Sequence, residues 1–116
     1  MATYMLLLYA DEKGGQSLSP DDMAMWMKKM GEYSDALKKA DAFIGTGGLS
    51  PAATARTVHT SKDDLQVHDG PYADTQEQLG GYYLISAADM DEAQGWAAQC
   101  PASLWGHIEI REVMSG

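Results

Sequence analysis

The segment Thr3 to Ala10 constrains the fold of this chain more than any other stretch. Successive side chains on a strand point to opposite faces, and here both alternating sets, Tyr4/Leu6/Leu8 and Met5/Leu7/Tyr9, are largely apolar. Such a strand must be covered on both sides, so it is predicted to be central. The apolar run Tyr4 to Ala10 is also far too short for a bilayer span of about 20 residues. It lacks the basic flank and cleavage site of a signal peptide.

Punctuation along the chain supplies the other elements. Asp11 to Ser19, with Gly14-Gly15, reads as a loop. Ser19-Pro20-Asp21-Asp22 marks a helix start: Ser as cap, Pro in the first turn, and two carboxylates favoured by the positive end of the helix dipole. The helix is expected to run to Ala40, with Met23, Trp26, Met27, Met30, Tyr33, Leu37 and Ala40 on one face. That Met-rich stripe reads as a core face, against the alternative of a pliable groove. Phe43 to Leu49 starts as a short strand. Ala55 to Thr60 and Leu65 to His68 read as a hairpin joined by Ser61-Lys62-Asp63-Asp64. Gly81 to Ala87 is a further strand.

Asp89, followed three residues later by Glu92, has capping-box form and opens a second helix, which Pro101 stops. Its core stripe is Ala93, Trp96, Ala97 and Cys100. Gly95 within it costs about 1 kcal/mol relative to Ala, which points to a close contact. His107 to Val113 closes the order as a strand with Ile108 and Ile110 on one face and His107, Glu109 and Arg111 on the other.

Strand, helix, strand, hairpin, strand, helix, strand suits an α+β, ferredoxin-like antiparallel sheet with two helices on one face. Two helices leave the other face bare, although large residues of the first strand and one of Tyr82 or Tyr83 would lie there. A second copy packed face to face would cover it, so a homodimer enclosing a partly polar cavity is predicted.

At 116 residues, one domain spanning 1–116 is expected. With 45% apolar and 22% charged residues, the composition excludes disordered and fibrous classes. A net charge of −9 repels nucleic-acid phosphate and anionic lipid, so neither is an expected direct partner. A single cysteine, Cys100, rules out an intrachain disulfide framework, and a cytoplasmic location is expected.

Several residues carry candidate chemistry. His68 and Asp69 suggest a general base with an orienting carboxylate, provided the turn begins at Asp69; otherwise Asp69 caps the turn that Gly70-Pro71 shapes. His107, Glu109 and Arg111, with Tyr72, Glu77 and one of Tyr82 or Tyr83, form a polar wall suited to ligand binding, with an Arg fork for a carboxylate. The alternative is a plain Arg111–Glu109 pair on a strand. His59, His68, His107, Asp69 and Glu109 match no metal-ligand spacing, so no metal site is expected. Gly45-Thr46-Gly47-Gly48 lacks the ending of a phosphate loop and reads as turn geometry, and no cofactor is predicted. Cys100 has no basic neighbour within a helical turn and reads as a small buried residue.

Gly48-Leu49-Ser50-Pro51, Asp69-Gly70-Pro71-Tyr72-Ala73-Asp74 with Glu77, Gly80-Gly81-Tyr82-Tyr83-Leu84-Ile85, Trp96-Ala97-Ala98, Pro101 and Glu109-Ile110-Arg111 together resemble the DGPF proteins, a branch of the YCII-related family. Tyr72 stands where Phe is usual, and Asp74 where Glu is common. The resemblance implies a ferredoxin-like domain pairing into a dimeric α+β barrel. It also implies, for the wider family, a His on the first helix and an Asp before the Pro after the second, with dehydrochlorinases of hydroxylated aromatics among the relatives. Here Met30 or Gly31 takes the His place and Cys100 the Asp place, so that dyad is missing. Some DGPF proteins are thought to accompany alternative sigma factors, which implies a regulatory protein partner. The function expected is a homodimer binding a small ligand or regulatory partner at the open face; the alternative is a lyase or isomerase using His68 and Asp69.

Overall fold

Ser19 and Asp89 decide where the two main helices begin. In the computed structural model, which describes residues 1–114, the Ser19 hydroxyl accepts from the Asp22 amide at 3.1 Å and Pro20 opens the helix. Asp89 accepts from the Glu92 amide at 2.9 Å, while the Glu92 carboxylate takes the Ala88 amide at 3.3 Å. Both caps satisfy amides that a helix start otherwise leaves unpaired.

The elements run β1 (Ala2–Ala10), α1 (Glu12–Gln16), α2 (Pro20–Lys39), β2 (Phe43–Gly48), β3 (Arg56–Ser61), β4 (Asp64–Asp69), β5 (Gln78–Ala87), α3 (Met90–Gln99) and β6 (Gly106–Glu112), with 3-10 turns at Ala52–Thr54 and Pro101–Leu104. Four strands form one antiparallel sheet in the order β2-β5-β1-β6. The doubly apolar β1 is indeed central, and the arrangement is ferredoxin-like α+β. The sheet is open, with β2 and β6 as its edges.

One face carries Tyr4, Leu6, Tyr83, Ile85 and Ala87, buried beneath Tyr33, Leu37, Ala93, Ala97 and Cys100 of the helical layer. Full burial of Leu6, Leu37 and Ile85 stabilises the fold by roughly 1.5–3 kcal/mol each. Polar groups in this core are paired. The Tyr33 hydroxyl donates to the Trp96 carbonyl at 2.6 Å, and the Tyr83 and Ser34 hydroxyls lie 2.8 Å apart.

Four local expectations change. Asp11 to Ser19 is not only loop: the Asp11 carboxylate accepts from the Lys13 amide and caps the short α1. The core stripe of α2 is confined to its later half. Tyr33 and Leu37 are buried, whereas Met27 is 68% exposed. The buried residues of this 20-residue helix all lie in that half. Gly95 has no neighbour within 4 Å of a hypothetical Cβ, so no close contact requires it.

The fourth change concerns the hairpin. β3 and β4 leave the main sheet and, among the described residues, pair only with each other, in register from Arg56↔Asp69 to Ser61↔Asp64. The turn is tighter than the four-residue loop expected. Lys62 and Asp63 alone form it, with φ of 49° and 70°, the left-handed pair of a type I′ turn whose twist suits a hairpin. Of the twelve strand residues only Thr57 falls short of being exposed. The radius of gyration, 16.1 Å, exceeds the roughly 13 Å expected of a compact chain this long, as a projecting arm requires. At its base Gly70, at φ 112°, accepts from the Thr57 hydroxyl at 2.9 Å.

Candidate functional site

The sheet face opposite the helices is laid out by strand register. Glu109, Leu7, Tyr82 and Gly47 form one row across β6, β1, β5 and β2, and Arg111, Met5, Leu84 and Gly45 form the next. His107 pairs with Tyr9 in a third. Apolar side chains therefore occupy the middle of this face, and a polar strip runs along β6. Tyr82 is the tyrosine of the open face, since Tyr83 is only 4% exposed beneath the helices. Gly47 has a specific reason to be glycine: a Cβ there would meet the Tyr82 ring at 2.9 Å.

At the His107 end, β5 is bulged. Leu8 pairs with Gly81 but Tyr9 with Leu79, leaving Gly80 as the extra residue, and such bulges bend a strand and re-aim its side chains. Ala10 then pairs with Gln78 on one side and Gly106 on the other, which brings Glu77 to His107. His107 Nδ1 lies 2.9 Å from Glu77 Oε1 and 3.1 Å from Oε2. A carboxylate can only accept here, so Nδ1 carries the proton and Nε2 of the neutral ring is left free as a base. Farther along β6, Arg111 donates to Glu109 at 3.1 Å, with both side chains substantially exposed.

His68 and Asp69 are not brought together as such a pair. They are neighbours on β4, whose side chains alternate, and the Asp69 carboxylate turns to Arg56 at 3.4 Å across the hairpin. His68 is exposed on the same arm. Tyr72 is 91% exposed just beyond the hairpin. Of the residues assigned from sequence, Glu77, Tyr82, His107, Glu109 and Arg111 belong to the sheet and its end; His68, Asp69 and Tyr72 belong to the arm and its root. The carboxylate–imidazole pairing expected at His68 and Asp69 is made instead by Glu77 and His107. Thirty residues separate that pair in sequence, so no local motif announces it.

Of the places at which the resemblance implies a His and an Asp, Met30 and Cys100 belong to the core here, whereas Gly31 is exposed. Cys100 is 1% exposed, and burial pushes its thiol up from the ordinary value, away from the reactive thiolate. Met30 is partly buried against the core. Among the described residues no three His, Cys, Asp or Glu side chains gather closely enough to hold a metal ion. No helix there is long and apolar enough to cross a membrane.

Sequence reading missed an apolar hollow walled by two tryptophans. It lies on the helical side, has a volume of about 340 Å³, and is bounded by α1, the start of α2 and Trp105. Trp26 and Trp105 meet edge to face there, with centroids 4.4 Å apart. The available signal was Trp105, a large aromatic next to the polar-faced strand β6 and outside both predicted stripes.

A family model described as YCII-related domain matches residues 2–115 of the chain. An uncharacterized protein of Rhizobium meliloti (strain 1021), R00369, is 33% identical over 94 residues, which cover 81% of this chain and 76% of that protein.

Proposed function

The chain belongs to the YCII-related domain family, and on that premise we propose that it is a homodimer that binds a small ligand between two open sheet faces. The observation that carries this reading is the uncovered face itself. Met5, Leu7 and Leu84 stand in its middle with Ile44, 50% exposed, at its margin, and neither main helix reaches them. Two sheets packed face to face lie about 10 Å apart, close enough to bury such side chains. A two-fold axis would also set the polar strip of each copy along the rim of the shared cavity. Within that cavity Tyr82 supplies ring surface, and His107, Glu109 and Arg111 supply the polar contacts.

Sedimentation equilibrium at micromolar concentration tests the dimer. The expected result is a dimer that Leu7→Glu converts to a folded monomer; a monomeric parent protein overturns the reading. Thermal-shift screening of small carboxylic acids then tests the ligand, with stabilisation expected to require Arg111. A regulatory protein, the other occupant the resemblance implies, would instead leave the parent monomeric until that partner is added.

A second reading, an acid–base enzyme of lyase or isomerase type, is favoured by one observation, the Glu77–His107 pair. Its test is turnover in His107→Gln set against His68→Gln. Loss in the first alone supports this pair; loss in the second alone returns the role to the hairpin.

A further inference from the structure

We propose that the cleft between α1, α2 and Trp105 is a second binding site, for a small planar aromatic molecule carrying a cationic amine. It shares no residue with the open sheet face and lies on the other side of the sheet, so it stands independently of the dimer.

Its walls are the argument. Gly14, Gly15, Leu18, Met23, Trp26 and Trp105 leave about 340 Å³, within the range of small-molecule pockets and suited to one or two fused rings. The lining is left open to water: Leu18, Met23 and Trp105 are 37%, 41% and 42% exposed. A Cβ at Gly14 or Gly15 would meet nothing within 4 Å, so the α1 side has room for an occupant. The two indoles, 66° apart in plane, offer a ring both a face and an edge.

Charge selects the rest of the molecule. Asp11 is the one ionisable residue of the lining. Its Oδ1 is occupied by the Lys13 amide at 3.0 Å as the cap of α1, which leaves Oδ2 for a ligand. Asp11 also borders a neighbouring polar hollow of about 400 Å³, so the apolar cleft opens at its carboxylate into space for an ammonium group and its water. Lys29, 5.1 Å from the Trp26 centroid, already supplies a cation to that indole. The ligand's amine therefore belongs at Asp11 and its ring against the exposed surface of the tryptophan pair. A net charge of −9 adds to the preference for cations over anions.

The experiment uses three probes with one ring and different charges: tryptamine, indole and indole-3-acetate, titrated into the whole chain by calorimetry. Tryptamine is expected to bind more tightly than indole-3-acetate by about tenfold or more, the worth of one charge-assisted hydrogen bond. Asp11→Asn keeps a side chain able to cap α1 and should abolish that preference while sparing indole. Trp105→Ala should weaken all three probes. Leu18→Arg, which blocks the exposed rim without touching the core, gives the same result if Trp105→Ala proves unfolded by circular dichroism. The proposal is overturned if no probe binds at millimolar concentration, if charge makes no difference, or if Asp11→Asn keeps the preference. It is equally overturned if the folded blocking variant binds as the parent does.

Discussion

His107 and Glu77 meet through the one ring nitrogen that fixes the tautomer: Nδ1 faces both carboxylate oxygens, at 2.9 and 3.1 Å. A neutral imidazole held this way presents Nε2 as an acceptor. Nitrogen-15 NMR of the neutral ring should therefore show Nδ1 protonated, and Glu77→Gln should shift the population toward the Nε2-protonated form. Unchanged tautomer populations in that variant would show that Glu77 does not orient the ring.

Alkaline stability should depend on Tyr33. Its phenol is pushed up chiefly by burial, with Cys100 and Tyr83 adding to the effect. Below about pH 10 the phenol is protonated whether the chain is folded or not. Above it the unfolded chain releases the proton while the folded one keeps it, so stability falls by up to about 1.4 kcal/mol per pH unit. Tyr33→Phe should lose about 1 kcal/mol at neutral pH, because the hydroxyl caps the Trp96 carbonyl near the end of α3. The decline above pH 10 should then flatten, leaving the part due to Cys100 and Tyr4, whose pKa values burial also raises. Urea titrations at pH 8, 10 and 11 measure both effects.

Two helical glycines should be dispensable. Gly31 in α2 and Gly95 in α3 are exposed, and a Cβ at either meets nothing within 4 Å. Gly31→Ala and Gly95→Ala should each stabilise the protein by up to about 1 kcal/mol, since alanine restricts the unfolded chain and costs no contact. The two lie on different helices, so their effects on the melting temperature should add. A fall in melting temperature for Gly95→Ala would revive the close contact that its place in the sequence suggested.

The legibility of this fold followed the range of the forces involved. Local rules placed the caps at Ser19 and Asp89, and period-two alternation placed β1 at the centre, because these depend on residues a few positions apart. Alternation also put His107, Glu109 and Arg111 on one side of β6. What it left open was phase: whether Tyr82 or Tyr83 faces the helices depends on how β5 registers against β1, and Tyr33 and Ser34 across the core decide that. The Glu77–His107 contact depends further on the bulge at Gly80, an irregularity that no pattern announces. The hairpin was legible as a hairpin. Its separation from the sheet was not, since β3 and β4 satisfy each other's backbone groups equally well in either place.

That separation yields a last expectation, because an arm whose strands pair, among the described residues, only with each other is governed by its own turn. Lys62 and Asp63 both hold positive φ, which costs residues with a Cβ roughly 1 kcal/mol or more each. Asn-Gly is the pair best suited to a type I′ turn, so the double variant Lys62→Asn with Asp63→Gly should relieve much of that cost. Two-stranded hairpins are marginal alone in water, and here Val58 and Val67, directly opposed, remain 61% and 55% exposed. The gain should therefore be local. Hydrogen exchange at the paired amides of β3 and β4 should slow by about tenfold while the global melting temperature scarcely moves, since strands that open independently do not share the stability of the core. If the melting temperature rises together with arm protection, the arm is not independent and must fold against something, and the second copy proposed for the open face is then the first place to look.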